Sequence, residues 1–143
     1  MNNRQAYFNY AIEDKLEAGI VLMGTEVKSI REGKVSFNDA FCIFDKHELW
    51  VRGLFIAEYK LGTTNNHIAV YDRKLLLHKK ELKKLEAKIK EKGLTIVPLK
   101  VFFTDKNLVK LEIGLGRGKK DHDKRETIKE RDSRKEIKHY LAR

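Results

Sequence analysis

The stretch GLGRGKKDHDKRE, residues 114–126, gathers residue types that handle phosphate or metal ions. Glycines let a backbone approach phosphate closely, and lysine neutralises it. A Walker-type nucleotide loop needs Gly, four residues, Gly-Lys and then a Ser or Thr hydroxyl for magnesium. Here three residues separate Gly114 from Gly118, Lys119 follows, and Lys120 stands where the hydroxyl belongs. No amphipathic helix follows to lend its N-terminal dipole. The Asp121-His122-Asp123 triplet carries ligand types, but adjacent residues do not readily converge on one ion. His47, His67, His78 and His139 lack ligand spacing, and Ser29, Ser36 and Ser133 lack a nucleophile-elbow context. Cys42, the single cysteine, lies in the apolar run AFCIF and reads as a core thiol. No catalytic residue, metal or cofactor is expected. Gly116 and Gly118 are instead expected to turn the chain off the end of a sheet, as a hinge into a basic arm.

The charge balance supports that arm. The 143 residues carry 31 Lys and Arg against 21 Asp and Glu, a net charge of +10. Residues 117–143 hold 11 bases and six acids, and so half of that net charge. A strongly basic chain points to an anionic partner, nucleic acid before membrane. In the tail, Asp121–Arg125 and Glu130–Arg134 are favourable pairs four apart, but several like-charge pairs oppose them. Apolar residues are too sparse there to offset an ordering entropy of about 1–2 kcal/mol per residue. The tail is expected to be disordered alone and helical when a polyanion screens its charge.

The elements before it alternate with a period of two, as strands do. Strand character is expected over Tyr7–Leu22, Ala40–Phe44, Leu49–Ala57, Thr95–Phe103 and Leu108–Leu115. Val109, Leu111, Ile113 and Leu115 share one face, and Pro98 marks an edge or a bulge. A short helix is expected in MGTEVKSIREG, capped by Thr25 and stopped by Gly33. A longer one runs from a cap at Asp72 through Leu75, Leu82, Leu85 and Ile89 to Gly93, with a lysine-rich outer face. Residues 60–67 read as a loop. About six strands and two helices predict a mainly β fold, an antiparallel six-stranded barrel of OB-like kind over residues 1–116, followed by the tail 117–143. Aromatic residues Tyr7, Phe8, Tyr10 and Trp50 near strands can act as stacking platforms for bases. No apolar run reaches the roughly 18 residues that a bilayer span needs. The N-terminus has no signal-like segment, so a cytoplasmic protein is expected.

Five blocks, EAGIVLMGTEVKSIREGK, FNDAF, RKLLLHKKEL, KGLTIVPLKVFF and GRGKKDHDKRE, together resemble the SsrA-binding protein (small protein B) family. The resemblance covers nearly the whole chain in the expected order. It implies a six-stranded OB-like barrel that binds the tRNA-like domain of transfer-messenger RNA. It further implies delivery of that RNA to stalled ribosomes for trans-translation, with the tail folding as a helix in the empty mRNA channel beyond the decoding site. No bond is made or broken in this role, so the chain is expected not to be an enzyme. Elongation factor Tu is an implied neighbour through the charged RNA, and a monomer is expected. RNA-binding positions carried over from the family are Asn3, Arg4, Glu17 and Leu76. Arg73 and Lys74 read as phosphate contacts. The tail signature falls on Asp123, Lys124 and Arg125, preceded by Lys119 and Lys120, as ribosome-binding residues. Two departures stand out: Gln5 replaces a usual second basic residue, and HIAVYDRK replaces the arginines and proline that usually precede RKLLL.

Overall fold

A computed structural model describes residues 1–60 and 66–119. The tail residues Lys120, Asp123, Lys124 and Arg125, with the expected tail helix and most of the 60–67 loop, lie outside the described residues.

Six strands close into the expected antiparallel barrel. In order around it stand β1 (Tyr10–Ile20), β6 (Arg73–Leu76), β4 (Glu48–Arg52), β3 (Phe41–Asp45), β7 (Thr95–Phe103) and β8 (Val109–Gly118), which returns to β1. Alternation explains why this sequence makes these strands. On β8, Leu111, Ile113 and Leu115 point inward and are almost fully buried, while Lys110 and Glu112 point out. Ala18, Leu49, Val51, Leu75, Ile96 and Leu85 complete the interior. Each buried aliphatic side chain of this size contributes about 1.5–3 kcal/mol. The register of β7 on β8 shifts between Pro98 and Lys100, so the proline marks a bulge as expected.

Short β2 (Val35–Ser36) and β5 (Phe55–Ile56) form a separate two-stranded ribbon. The expected continuous strand Leu49–Ala57 is divided by Gly53, whose φ of +86° breaks the extended path between β4 and β5. Three helices pack on the barrel: α1 (Arg4–Asn9), α2 (Gly24–Arg31) and α3 (Lys79–Lys92). Gly93 ends α3 in the left-handed conformation, at φ +64°.

Several sequence expectations are corrected. Tyr7 and Phe8 lie in α1 and not in a strand, because the Asn3 side chain accepts from the Ala6 N–H at 3.2 Å and caps a helical turn there. Thr25 does not cap α2. That helix begins after Met23, whose N–H donates to Glu26 Oε1 at 2.8 Å, while Thr25 Oγ1 meets His67 Nδ1 at 2.8 Å. The long helix starts at Lys79 and not at Asp72, because residues 73–76 pair with both β4 and β1. Asp72 instead accepts two hydrogen bonds from Arg52, at 3.1 and 3.0 Å.

The glycine hinge is also revised. Gly114 and Gly116 lie inside β8, where the barrel wall comes too close for side chains. A Cβ on Gly114 would sit 2.6 Å from Leu99 Cδ1, and one on Gly116 would sit 2.9 Å from the Ala11 carbonyl oxygen. The strand runs on to Gly118, opposite Tyr10, two residues past the expected end of the barrel.

Candidate nucleic-acid interface

The outward face of β1, β6 and β8 forms a groove between α2 and the start of α3. Glu17 and Gly19 come from β1, Leu76 from β6, Lys110 from β8 and His78 from the head of α3, around a volume of about 280 Å³. Gly19 pairs with Leu76 on one side and with Lys110 on the other. A methyl group on Gly19 would lie 3.3 Å from Leu76 Cβ and fill the space beside it. Leu76, the last residue of β6, is 52% exposed. The groove continues into an apolar trough lined by Leu22, Val27, Leu76, Leu108 and Val109. Leu108 there is 58% exposed. An apolar floor rimmed by two carboxylates, Glu17 and Glu81, and the Lys110 cation can take a ribose or base by packing, accept from an amino group or 2′-hydroxyl, and neutralise a phosphate.

Glu17 and Leu76 are thus brought together from strands 59 positions apart in sequence. Lys74 stands outward on the same strand as Leu76, opposite Trp50, with its ammonium 3.4 Å from Glu48. Arg73 does not face phosphate. Its side chain is fully buried, paired with Glu26, and donates to the carbonyls of Leu54 at 2.6 Å and Ala69 at 3.0 Å. A cation enclosed by a carboxylate and carbonyls is unavailable to RNA. Tyr71 completes this knot: its hydroxyl donates to Glu26 Oε1 at 2.7 Å, and its ring lies 4.3 Å from the guanidinium carbon. Burial first, and the bond to Glu26 second, push the Tyr71 hydroxyl above its ordinary pKa.

Asn3 is likewise buried and committed, donating to the Pro98 carbonyl at 2.7 Å as it caps α1. Arg4 is exposed at the start of α1, next to Asn3, whose N–H donates to the Leu99 carbonyl in the middle of β7 at 2.8 Å. Lys119 reaches the other end of α1, its N–H donating to the Asn9 carbonyl at 2.9 Å. Lys15 lies over the Tyr7 ring at 5.3 Å, and Arg117 pairs with Glu13 at 3.2 Å. The structure therefore places Glu17 and Leu76 in the groove, Lys74 on the same sheet face outside its lining, and Arg4 and Lys119 at the two ends of α1. Tyr7, Phe8, Tyr10 and Trp50 are all half-buried.

Sequence reasoning missed Gly19, Lys110, His78 and Leu108 as groove residues. The alternation of β8 already turned Lys110 outward, but only the pairing register places it beside Leu76. Among the described residues no group of acidic, histidine and cysteine side chains is arranged to hold a metal, and no helix is long and apolar enough to cross a membrane.

The family description "SmpB protein" matches residues 1–143. The chain belongs to the SmpB family. An SsrA-binding protein of Parabacteroides distasonis is 53% identical over 137 residues, covering 96% of this chain and 90% of that protein. One of Bacteroides thetaiotaomicron is 51% identical over 143 residues, covering 100% and 95%. A solved structure described as "tmRNA-SmpB: a journey to the center of the bacterial ribosome" superposes with a TM-score of 0.71 at 48% identity, covering 85% of each chain. The SmpB barrel is therefore the frame within which the groove sits, and the likeness read from the five sequence blocks spans the same chain.

Proposed function

We propose that this chain is a non-catalytic RNA-binding factor that binds the tRNA-like domain of transfer-messenger RNA and delivers it to stalled ribosomes for trans-translation. The observation that carries this reading is its match along the whole chain to proteins named for binding SsrA RNA. The groove supplies suitable chemistry. Leu76 packs on a ribose or base, Glu17 accepts from an amino group or 2′-hydroxyl, and Lys110 and Lys74 neutralise phosphates. Asn3 serves by fixing α1, which presents Arg4. Lys119 starts the basic tail, whose Lys120, Asp123, Lys124 and Arg125 engage ribosomal RNA along the empty mRNA channel. The barrel, drawn from sequence as 1–116, and the tail, 117–143, thus divide RNA capture from ribosome reading. No covalent step is assigned to any residue. The protein acts as a cytoplasmic monomer and meets elongation factor Tu through the charged RNA.

Two measurements test this. The full chain should bind the tRNA-like fragment much more tightly than random-sequence RNA of equal length; equal affinities would replace the reading with a general RNA binder. In a tag-transfer assay on stalled ribosomes, the full chain should support tagging. A chain ending at Lys119 should keep RNA binding and lose tagging, and tagging at the full rate by that shorter chain would remove the tail from the mechanism.

A further inference from the structure

The RKLLL run does not by itself decide which way β6 faces. Arg73 and Leu75 point inward, Lys74 and Leu76 outward. A slip of one residue would turn Leu76 in and Leu75 out, because side chains alternate with a period of two. Leu75, Leu76 and Leu77 are identical, so the slip exchanges one buried leucine for another. It also exchanges one inward cation, Arg73, for another, Lys74. Hydrophobic patterning is therefore indifferent between the two registers.

What discriminates is the pocket that receives the cation. Glu26 of α2 and the carbonyls of Leu54 and Ala69 surround the Arg73 guanidinium, and both charged side chains have no exposed surface. These acceptors fit a planar fork with several donors, and a lysine ammonium is a point charge that cannot meet them all. Glu26 is itself held by Tyr71 and by the Met23 N–H. Buried ion pairs contribute little net stability, and setting register is their best-attested use.

We infer that the Glu26–Arg73 pair is a register lock, a pair of positioning residues that keeps Leu76 and not Leu77 opposite Gly19 in the RNA groove. The inference rests on the proposed RNA-binding role for its consequence. Its structural half, the register, is measured without RNA.

Arg73→Lys turns the run into KKLLL, in which neither register is favoured. NMR cross-strand contacts in the RNA-free protein report the pairing. The wild type should show Gly19 facing Leu76 alone, and Arg73→Lys should show a second set with Gly19 facing Leu77. Affinity for the tRNA-like fragment should fall about twofold, since only about half of the molecules then present Leu76 to the groove. Added to Leu76→Ala, Arg73→Lys should cost nothing more. Should Arg73→Lys not unfold cooperatively, the apolar pair Glu26→Leu with Arg73→Met takes its place, since such replacements usually preserve stability. A single Gly19–Leu76 contact in the folded variant, or losses that multiply with Leu76→Ala, would overturn the lock. A wild type that does not prefer the tRNA-like fragment would instead overturn the RNA-binding reading and leave the register result standing.

Discussion

Glu17 of β1 stands directly opposite Glu112 of β8, both on the outward face of the barrel. Like charges directly opposed across a strand pair are destabilising. Glu112 has Lys100 opposite on its other side, in β7. No salt bridge to Glu17 is present among the described residues. Function is one reason for a natural protein to keep a destabilising residue, and RNA binding is the use proposed for Glu17. Glu17→Gln should therefore raise stability by a few tenths of a kcal/mol, read as a higher urea midpoint. The same change should weaken binding of the tRNA-like fragment about tenfold, the scale of a hydrogen bond to a charged group. Unchanged affinity would assign Glu17 to the surface alone.

The glycines of β8 give a second prediction, which separates close packing from hinge function. Gly114→Ala places a methyl group 2.6 Å from Leu99 Cδ1 and 3.2 Å from Ile12 Cγ2. Overpacking of this kind costs about 1–3 kcal/mol. Nothing lies within 4 Å of a Cβ on Gly118, so Gly118→Ala should be neutral within about 0.5 kcal/mol. Denaturant midpoints of the two variants test this. Equal effects would mean that the Leu99 contact does not constrain Gly114.

The contact between α3 and β1 should be pH-dependent. Lys88 Nζ lies 3.2 Å from Asp14 Oδ2. This bond, with a second from the Lys15 N–H, holds the Asp14 carboxyl below its ordinary value of 3.8. A lowered folded-state value contributes stability above pH 3.8, and the contribution is lost as pH falls through the lower folded value. Both side chains are about half exposed, so the pair is worth at most about 0.5 kcal/mol. Asp14→Asn should accordingly be slightly less stable than wild type at pH 7. Urea titrations at descending pH should show the gap closing below about pH 4, and a constant gap would mean that the loss is not electrostatic.

Where the sequence was legible, a single periodicity governed. The β7–β8 hairpin alternates cleanly, and its turn and bulged proline fall where local chemistry puts them. RKLLL was not legible, because three leucines in a row satisfy a helix and a strand equally. The residue that decides, Glu26, lies 47 positions away, in a helix where nothing local signals its burial. The glycines of β8 failed for a related reason: sequence shows that they lack side chains, but only the closed barrel shows the neighbour that requires it. Glu17 and Leu76 could be named through the family resemblance, whereas their convergence with Lys110, on the far side of β1 from Leu76, depends on strand order.

That placement of Lys110 yields the last prediction. Lys110 borders both halves of the groove and lies one strand from Leu76 across Gly19. If it meets an RNA phosphate, Lys110→Ala should weaken binding to every RNA that enters the groove. It should also flatten the log–log dependence of affinity on salt by about 0.7–0.9, the release from one phosphate contact. Lys92, in the last turn of α3, is an internal control. It lies about 20 Å along the helix from the groove residue His78, at 1.5 Å per residue. Lys92→Ala should change the net charge identically and leave the salt slope unaltered. Equal changes in the two variants would mean that net charge, and not the position of Lys110, sets the electrostatic part of binding.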